Sequence, residues 1–155
     1  MSGNAPEIAL PQLPHARVAI ISSSWHVDIC NDLIAGAQRA LKAASISDVE
    51  VIYVPGSFEI PLAAQLAFEK GFSAVVAVGL VLEGQTPHFD YVCQGVTDGV
   101  MQVSLSRSKP IGFGVLMCES VEQARARAGF ADSFEDKGFD SALAALSVLN
   151  NKKTA

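Results

Sequence analysis

Residues 73–82 read SAVVAVGLVL, a run with no charged side chain and one hydroxyl, at its first position. A strand with one solvated face would alternate apolar and polar residues. This run does not, which is the pattern of a strand buried on both faces at the centre of a parallel sheet. Such a strand needs helices above and below it, and the flanking sequence supplies them. Upstream, residues 17–22 (RVAIIS) form a first strand, and residues 28–44 a helix with Ile29, Leu33, Ala37 and Leu41 on one stripe. Residues 49–54 are a second strand. Residues 59–70 are a second helix, with Pro61 tolerated in its opening turn and Gly71 placed to end it. Downstream, Thr86 caps a long helix whose first residue is Pro87 and which runs to about Ser108. A fourth strand follows over residues 110–117. A short helix over 120–128 opens on a Ser-x-x-Gln capping box at Ser120 and Gln123, and a closing helix spans 137–150 after a polar loop, 130–136. The fold class is therefore α/β, a four-stranded parallel sheet covered by helices on both faces. It is expected as a single domain over residues 17–150, between an N-terminal extension (1–16) and a C-terminal tail (151–155), with fraying over 1–14 and 151–155.

The chain has 155 residues, long enough for a core without staples. Eleven Lys and Arg against sixteen Asp and Glu give 11 − 16 = −5, which argues against a surface that tracks nucleic-acid phosphates. Cys30, Cys93 and Cys118 are odd in number, far apart, and lack both a Cys-x-x-Cys pair and a neighbouring His at metal-ligand spacing. No metal is expected, and a reducing cytoplasm fits best. Residues 1–14 hold no Lys or Arg and no apolar run, unlike a signal or transit peptide. No segment approaches the ~20 uninterrupted apolar residues of a membrane helix, so no membrane partner is expected.

In open α/β sheets ligands bind beyond the carboxyl ends of the strands. The residues just after each predicted strand are Ser23-Ser24-Trp25-His26, Pro55-Gly56-Ser57-Phe58-Glu59 and Glu83-Gly84-Gln85-Thr86-Pro87-His88. The Gly84-Gln85-Thr86 turn delivers a helix N-terminus, whose free N–H groups and positive dipole end suit a phosphate; the same pattern also starts many helices for structural reasons alone. His88 falls in that first turn, where the dipole favours the neutral imidazole and leaves it able to accept a proton; a lone His there also reads as plain surface. Trp25 offers either a flat stacking face or a packing contact. Glu59 could accept hydrogen bonds from a polyol, or simply complement a helix dipole. Arg127 and Lys137 flank the polar loop and could bring positive charge to an anion or only solvate a face. Nothing near Cys118 in sequence activates it as a nucleophile. Gly95 and Gly99 lie four apart in the long helix, compatible with close packing on their own sheet or against other copies.

Taken together these stretches resemble the lumazine synthase family over residues 18–149. The most specific is Gly84-Gln85-Thr86-Pro87-His88-Phe89-Asp90-Tyr91-Val92. Pro55-Gly56-Ser57-Phe58-Glu59-Ile60-Pro61, Gln102-Val103-Ser104-Leu105, Phe113-Gly114-Val115-Leu116, Arg127-Ala128-Gly129 and Lys137-Gly138 support it. The resemblance implies a flavodoxin-like three-layer α/β/α subunit and condensation of 5-amino-6-(D-ribitylamino)uracil with 3,4-dihydroxy-2-butanone 4-phosphate in riboflavin biosynthesis, with no cofactor. It implies His88 as general base and acid, Trp25 stacking the pyrimidine, and Ser57, Phe58, Glu59 and Leu82 around the ring edge and ribityl chain. Phosphate would lie at Gly84, Gln85, Thr86 and Arg127. Lys137 would reach the pocket and Phe113 would close it from a neighbouring subunit. Family members build the pocket between adjacent subunits of a five-membered ring. The loop 130–136 looks longer than in members that form sixty-subunit shells, which favours a free homopentamer, and riboflavin synthase is a candidate partner. Three departures stand out: Glu83 where many members carry Arg or Lys, Trp25-His26 in place of Phe-Asn, and Met117-Cys118-Glu119-Ser120 in place of a Thr-rich stretch. Two rival readings are a passive binder of a flavin or ribityl compound and a structural ring component; the combination of His88, Arg127 and Lys137 favours an enzyme over both.

Overall fold

The computed structural model describes residues 4–154. Its elements run β1 (Arg17–Ser23), α1 (Val27–Ala43), β2 (Asp48–Val54), one 3-10 turn (Ser57–Glu59), α2 (Ile60–Glu69), β3 (Ala74–Leu82), α3 (His88–Arg107), β4 (Ile111–Cys118), α4 (Val121–Arg125) and α5 (Lys137–Thr154). The strands form one parallel sheet in the order β2-β1-β3-β4. β3 is central, and every residue from Ala74 to Leu80 is buried. Its side chains divide strictly by the period of two. Val76 and Val78 pack with Leu33, Ala37 and Leu41 of α1 and Leu146 of α5, while Val75 and Ala77 pack with Ile60 and Ala64 of α2 and Val96 and Val100 of α3. Three layers result, as the fold class expected. Among the described residues no helix is long and apolar enough to cross a membrane.

Several element boundaries differ from the sequence reading, each for a local reason. The second helix does not begin at Glu59: Ser57–Glu59 forms a separate 3-10 turn before α2. Thr86 does not cap α3. The helix starts at His88 with Pro87 as the half-in residue, because the Pro87 carbonyl already accepts the Asp90 and Tyr91 amides at 3.0 and 3.4 Å. Half of the capping box before α4 forms: Ser120 Oγ accepts the Gln123 amide at 3.2 Å, but Gln123 Oε1 takes the Glu119 amide at 2.8 Å rather than that of Ser120. The fraying expected through Pro14 stops earlier. Leu13 is 2% exposed, and its amide and the Gln12 side chain donate to the Ala44 and Ala43 carbonyls, supplying donors that the end of α1 lacks. Among the described residues the chain does not fray from Asn151, and the parts of both expectations that fall on residues 1–3 and Ala155 lie outside the described residues. α5 continues to Thr154, tied down where Lys152 Nζ donates to the Ser108 carbonyl at 2.7 Å.

Glycines set the closest approaches between layers. A Cβ on Gly138 would lie 2.0 Å from the Leu33 carbonyl oxygen, so α5 seats directly on the backbone of α1; one on Gly112 would lie 2.1 Å from the Ser141 carbonyl oxygen. Gly95 and Gly99 do not open toward their own sheet. Their missing side chains admit the Phe58 ring and Pro61 of the same chain. By contrast, a Cβ on Gly84 would meet nothing within 4 Å. Gly138→Ala is therefore expected to cost about 3 kcal/mol or more in chemical denaturation, since backbone on both sides must move. Gly84→Ala is expected to change stability by no more than about 0.5 kcal/mol; equal losses at both positions would contradict this packing.

Candidate functional site

The strand order reverses between β1 and β3, and a cavity of about 720 Å³ opens there at the carboxyl ends of the strands. Trp25 and His26 after β1, residues 55–59 after β2, Leu82 at the end of β3, and His88 and Tyr91 on α3 line it. The loops are fastened to one another: Ser24 Oγ donates to the Val54 carbonyl at 2.8 Å and the Ser24 amide to the Pro55 carbonyl at 3.3 Å. Below them, a Cβ on Gly79 would lie 2.5 Å from Ser23 Oγ and 2.9 Å from Ser57 Oγ, so this glycine makes room for both hydroxyls. Ser57 Oγ is buried and has no hydrogen-bond partner. An orphaned hydroxyl of this kind costs about 1–3 kcal/mol, so the turn is retained at some expense in stability.

Trp25 is 68% exposed, an unusual setting for the chain's one tryptophan, and its carbonyl accepts the Cys30 thiol at 3.1 Å. Phe58 is likewise largely exposed, its ring seated against Gly95. Of the two readings of Glu59, the structure realises the structural one: its Oε2 accepts the Gly56 amide at 3.0 Å. The same side chain still borders the cavity, so a ligand can also reach it. His88, the first residue of α3, is exposed on the opposite wall.

Of the residues singled out from the sequence, the chain thus gathers Trp25, Ser57, Phe58, Glu59, Leu82 and His88 around one cavity. Gly84, Gln85 and Thr86 form an exposed turn between the lining residues Leu82 and His88 without lining the cavity themselves. Three others stand elsewhere on the chain. Phe113 projects from β4, the edge strand, paired in register with Ala77 and 43% exposed. Arg127 and Lys137 share one carboxylate, each about 3.7 Å from Glu135, and Arg127 also donates to the Gln123 carbonyl at 2.8 Å. His26 and Tyr91 line the cavity without having been singled out for it. Tyr91 was findable, because it lies three residues after His88 and so on the same helix face.

No cysteine lines the cavity. Burial pushes the thiols of Cys30, Cys93 and Cys118 above the ordinary thiol range, and the Arg127 charge only partly offsets this at Cys118. Among the described residues there is no group of three His, Cys, Asp or Glu side chains that could hold a metal ion.

A doubly wound parallel sheet with a crevice at its topological switch point defines the class: an open α/β protein that binds a small molecule beyond its strand ends. The sequence profile of the 6,7-dimethyl-8-ribityllumazine synthases matches residues 15–153. The chain is 48% identical to the 6,7-dimethyl-8-ribityllumazine synthase of Streptomyces coelicolor, over 96% of this chain and 92% of that one. It is 49% identical to that of Frankia casuarinae (94% and 92%) and 50% identical to that of Leifsonia xyli (85% and 83%). The chain belongs to the 6,7-dimethyl-8-ribityllumazine synthase family.

With all three thiols held protonated near neutrality, the native protein is expected to react slowly with Ellman's reagent at pH 7 to 8 and to release its full three equivalents only on denaturation. A fast-reacting thiol in the native state would show that a cysteine is activated after all.

Proposed function

We propose that the chain condenses 5-amino-6-(D-ribitylamino)uracil with 3,4-dihydroxy-2-butanone 4-phosphate, releasing 6,7-dimethyl-8-ribityllumazine, one phosphate and two waters, as a step of riboflavin biosynthesis. The observation that carries this reading is the meeting of an exposed indole, an acceptor carboxylate and an exposed imidazole around one cavity, in a chain of this family. Trp25 stacks the pyrimidine, and Ser57, Phe58, Glu59 and Leu82 hold the ring edge and ribityl chain. The orphaned Ser57 hydroxyl supports that role, since a ligand oxygen would give it the partner it lacks.

The phosphate falls at Gly84, Gln85 and Thr86. Gly84 is explained neither by packing, since a Cβ there meets nothing, nor by a left-handed backbone. Close approach of a ligand to bare backbone is the remaining physical reason for glycine. The turn also leads into α3, a 20-residue helix whose N-terminus has no side-chain cap and whose positive dipole end faces the turn. In the reaction the amine adds to the ketone, water leaves to give an imine, phosphate is eliminated, and the second nitrogen closes the ring with loss of the second water. His88 moves protons in these steps, a contribution typically worth about 10²- to 10⁴-fold. Holding two small reactants in one geometry supplies roughly 7 to 11 kcal/mol more, so loss of one polar group slows turnover without abolishing it.

Phe113, Arg127 and Lys137 complete the site from an adjacent subunit. Their distance from the cavity in one chain supports this. So does the apolar surface left uncovered on Tyr91, Met101 and Leu105 of α3 and on Phe113 and Met117 of β4, which suits burial against other copies. The assembly is a cytoplasmic homopentamer rather than a sixty-subunit shell, with no cofactor and with riboflavin synthase as the candidate partner that consumes its product.

Purified protein mixed with both substrates is expected to release phosphate in step with the ultraviolet signature of the lumazine. Binding without release would instead make the chain a passive binder. His88→Ala is expected to lower kcat by about 10²-fold while leaving measurable turnover. Arg127→Ala mainly raises KM for the phosphorylated ketone; an unchanged KM would remove Arg127 from the phosphate site. At ketone concentrations far below the KM of the Arg127→Ala protein, rings co-assembled from His88→Ala and Arg127→Ala chains are expected to turn over faster than either parent, because some junctions then carry both native residues. Failure to do so in verified mixed pentamers would place the two residues in one subunit's site.

A further inference from the structure

We propose that His26 is a second proton-handling imidazole of this cavity, acting beside His88; the inference rests on the reading of activity above. His26 sits at φ 54, ψ 66, in the left-handed region that few residues other than glycine adopt, His, Asn and Asp entering it more readily than the rest. Two other non-glycine residues among those described share that region, Ser45 and Ser108, and both stand at helix C-termini, where chains commonly end that way. His26 alone stands at a helix start. It is the N-cap of α1, yet its side chain makes no capping hydrogen bond; Asn would satisfy both the backbone and the cap, and Gly the backbone alone. The ring is exposed, so core packing does not retain it either. What the imidazole does is border the cavity, on the β1 side, while His88 borders it from α3. Uncommon backbone conformations concentrate at functional sites, and here one turns a side chain that neither caps the helix nor packs in the core toward the cavity rim.

The chemistry has a use for a second imidazole. Loss of the first water from the amine adduct breaks one N–H and one C–O bond and forms C=N. The nitrogen's proton passes to a base, and the departing hydroxyl takes a proton from an acid to leave as water. One neutral and one protonated imidazole meet both needs, and exchange with water restores them. His26, Glu59, His88 and Tyr91 are the titratable side chains lining the cavity among the described residues, and Glu59 is already engaged by the Gly56 amide.

The test is His26→Gly, because glycine adopts this backbone without strain, with pentamer size and melting temperature checked alongside turnover. The wild-type protein is assayed first: absence of lumazine formation there overturns the reading of activity, whatever the variant does. Given wild-type turnover, the variant is expected to fold and assemble normally, to bind the pyrimidine substrate with unchanged affinity, and to lose about 10²-fold in kcat, with added imidazole restoring a part. A kcat within about threefold of wild type overturns the proposal, since general acid–base effects are much larger. So does a fall in kcat that neither imidazole nor other small amine buffers rescue, which would make His26 a structural support. If the glycine variant fails to assemble, His26→Asn, which keeps a cap and tolerates the backbone, is read by the same kcat criterion.

Discussion

The missing side chain at Gly79 is the constraint on which the rest of the site depends. β3 is buried on both faces and cannot yield, so the loops that follow β1 and β2 can cross above it only if it presents no bulk there. Gly79 gives that room to the hydroxyls of Ser23 and Ser57. With Ser57 lowered against β3, the 3-10 turn that begins there holds Phe58 against Gly95, and one helical turn further on Pro61 meets Gly99. A line of three glycines on two elements thus fixes the height of the β2 loop over the sheet. Trp25, Glu59 and His88 face one space because that height is set. None of the three is buried deeply enough to be placed by its own packing.

Charge is distributed differently from shape. Arg127 and Lys137 both pair with Glu135, one on each carboxylate oxygen at about 3.7 Å. Exposed pairs of this length contribute little to stability, so Glu135 acts chiefly to orient the two cations. Nearby, Asp136 pairs with Arg39 and accepts the Phe139 amide at 3.0 Å, anchoring the start of α5. Asp140 in the same turn has its carboxyl pushed above the usual range, mainly by burial. The result is a cationic pair on a firm base, separated within the chain from the cavity that lacks one.

The sequence made the sheet legible because burial on both faces leaves an unbroken apolar run, and a period of two or 3.6 survives in the text. It made the site legible because topology sends all three post-strand segments to one rim. What it hid was geometry with no periodic signature. Thr86 before Pro87 reads as a cap followed by N1, yet the Pro87 carbonyl takes two amides and shifts the start of α3 to His88. The left-handed turn at His26 cannot be read from the residue type, because His enters that region more readily than most residues yet still only in a minority of cases. Leu13 looks like part of a frayed extension because its burial depends on α1 ending beside it, a long-range fact. Phe113, Arg127 and Lys137 were grouped with the cavity through family resemblance; spacing along the chain could not say on which edge they would stand.

The chemistry itself explains why a lone chain would be a poor catalyst. An imine exposed to bulk water hydrolyses back to its precursors, and a phosphate leaving group needs cations or N–H donors in place of the water it gives up. In the single chain the indole of Trp25 is more than half in water, residues 84–86 are exposed, and Arg127 and Lys137 stand outside the cavity. Each of these gaps lies on the open side of the pocket, not in its floor, which is closed by β3 and the two serine hydroxyls. In the proposed ring, a neighbouring chain bringing Phe113 on its edge strand and Arg127 and Lys137 beside its Glu135 would cover the indole, shield the turn and bring positive charge to it. The floor of the cavity and the groups proposed to move protons lie within one chain, and the open side is what the proposed ring would close.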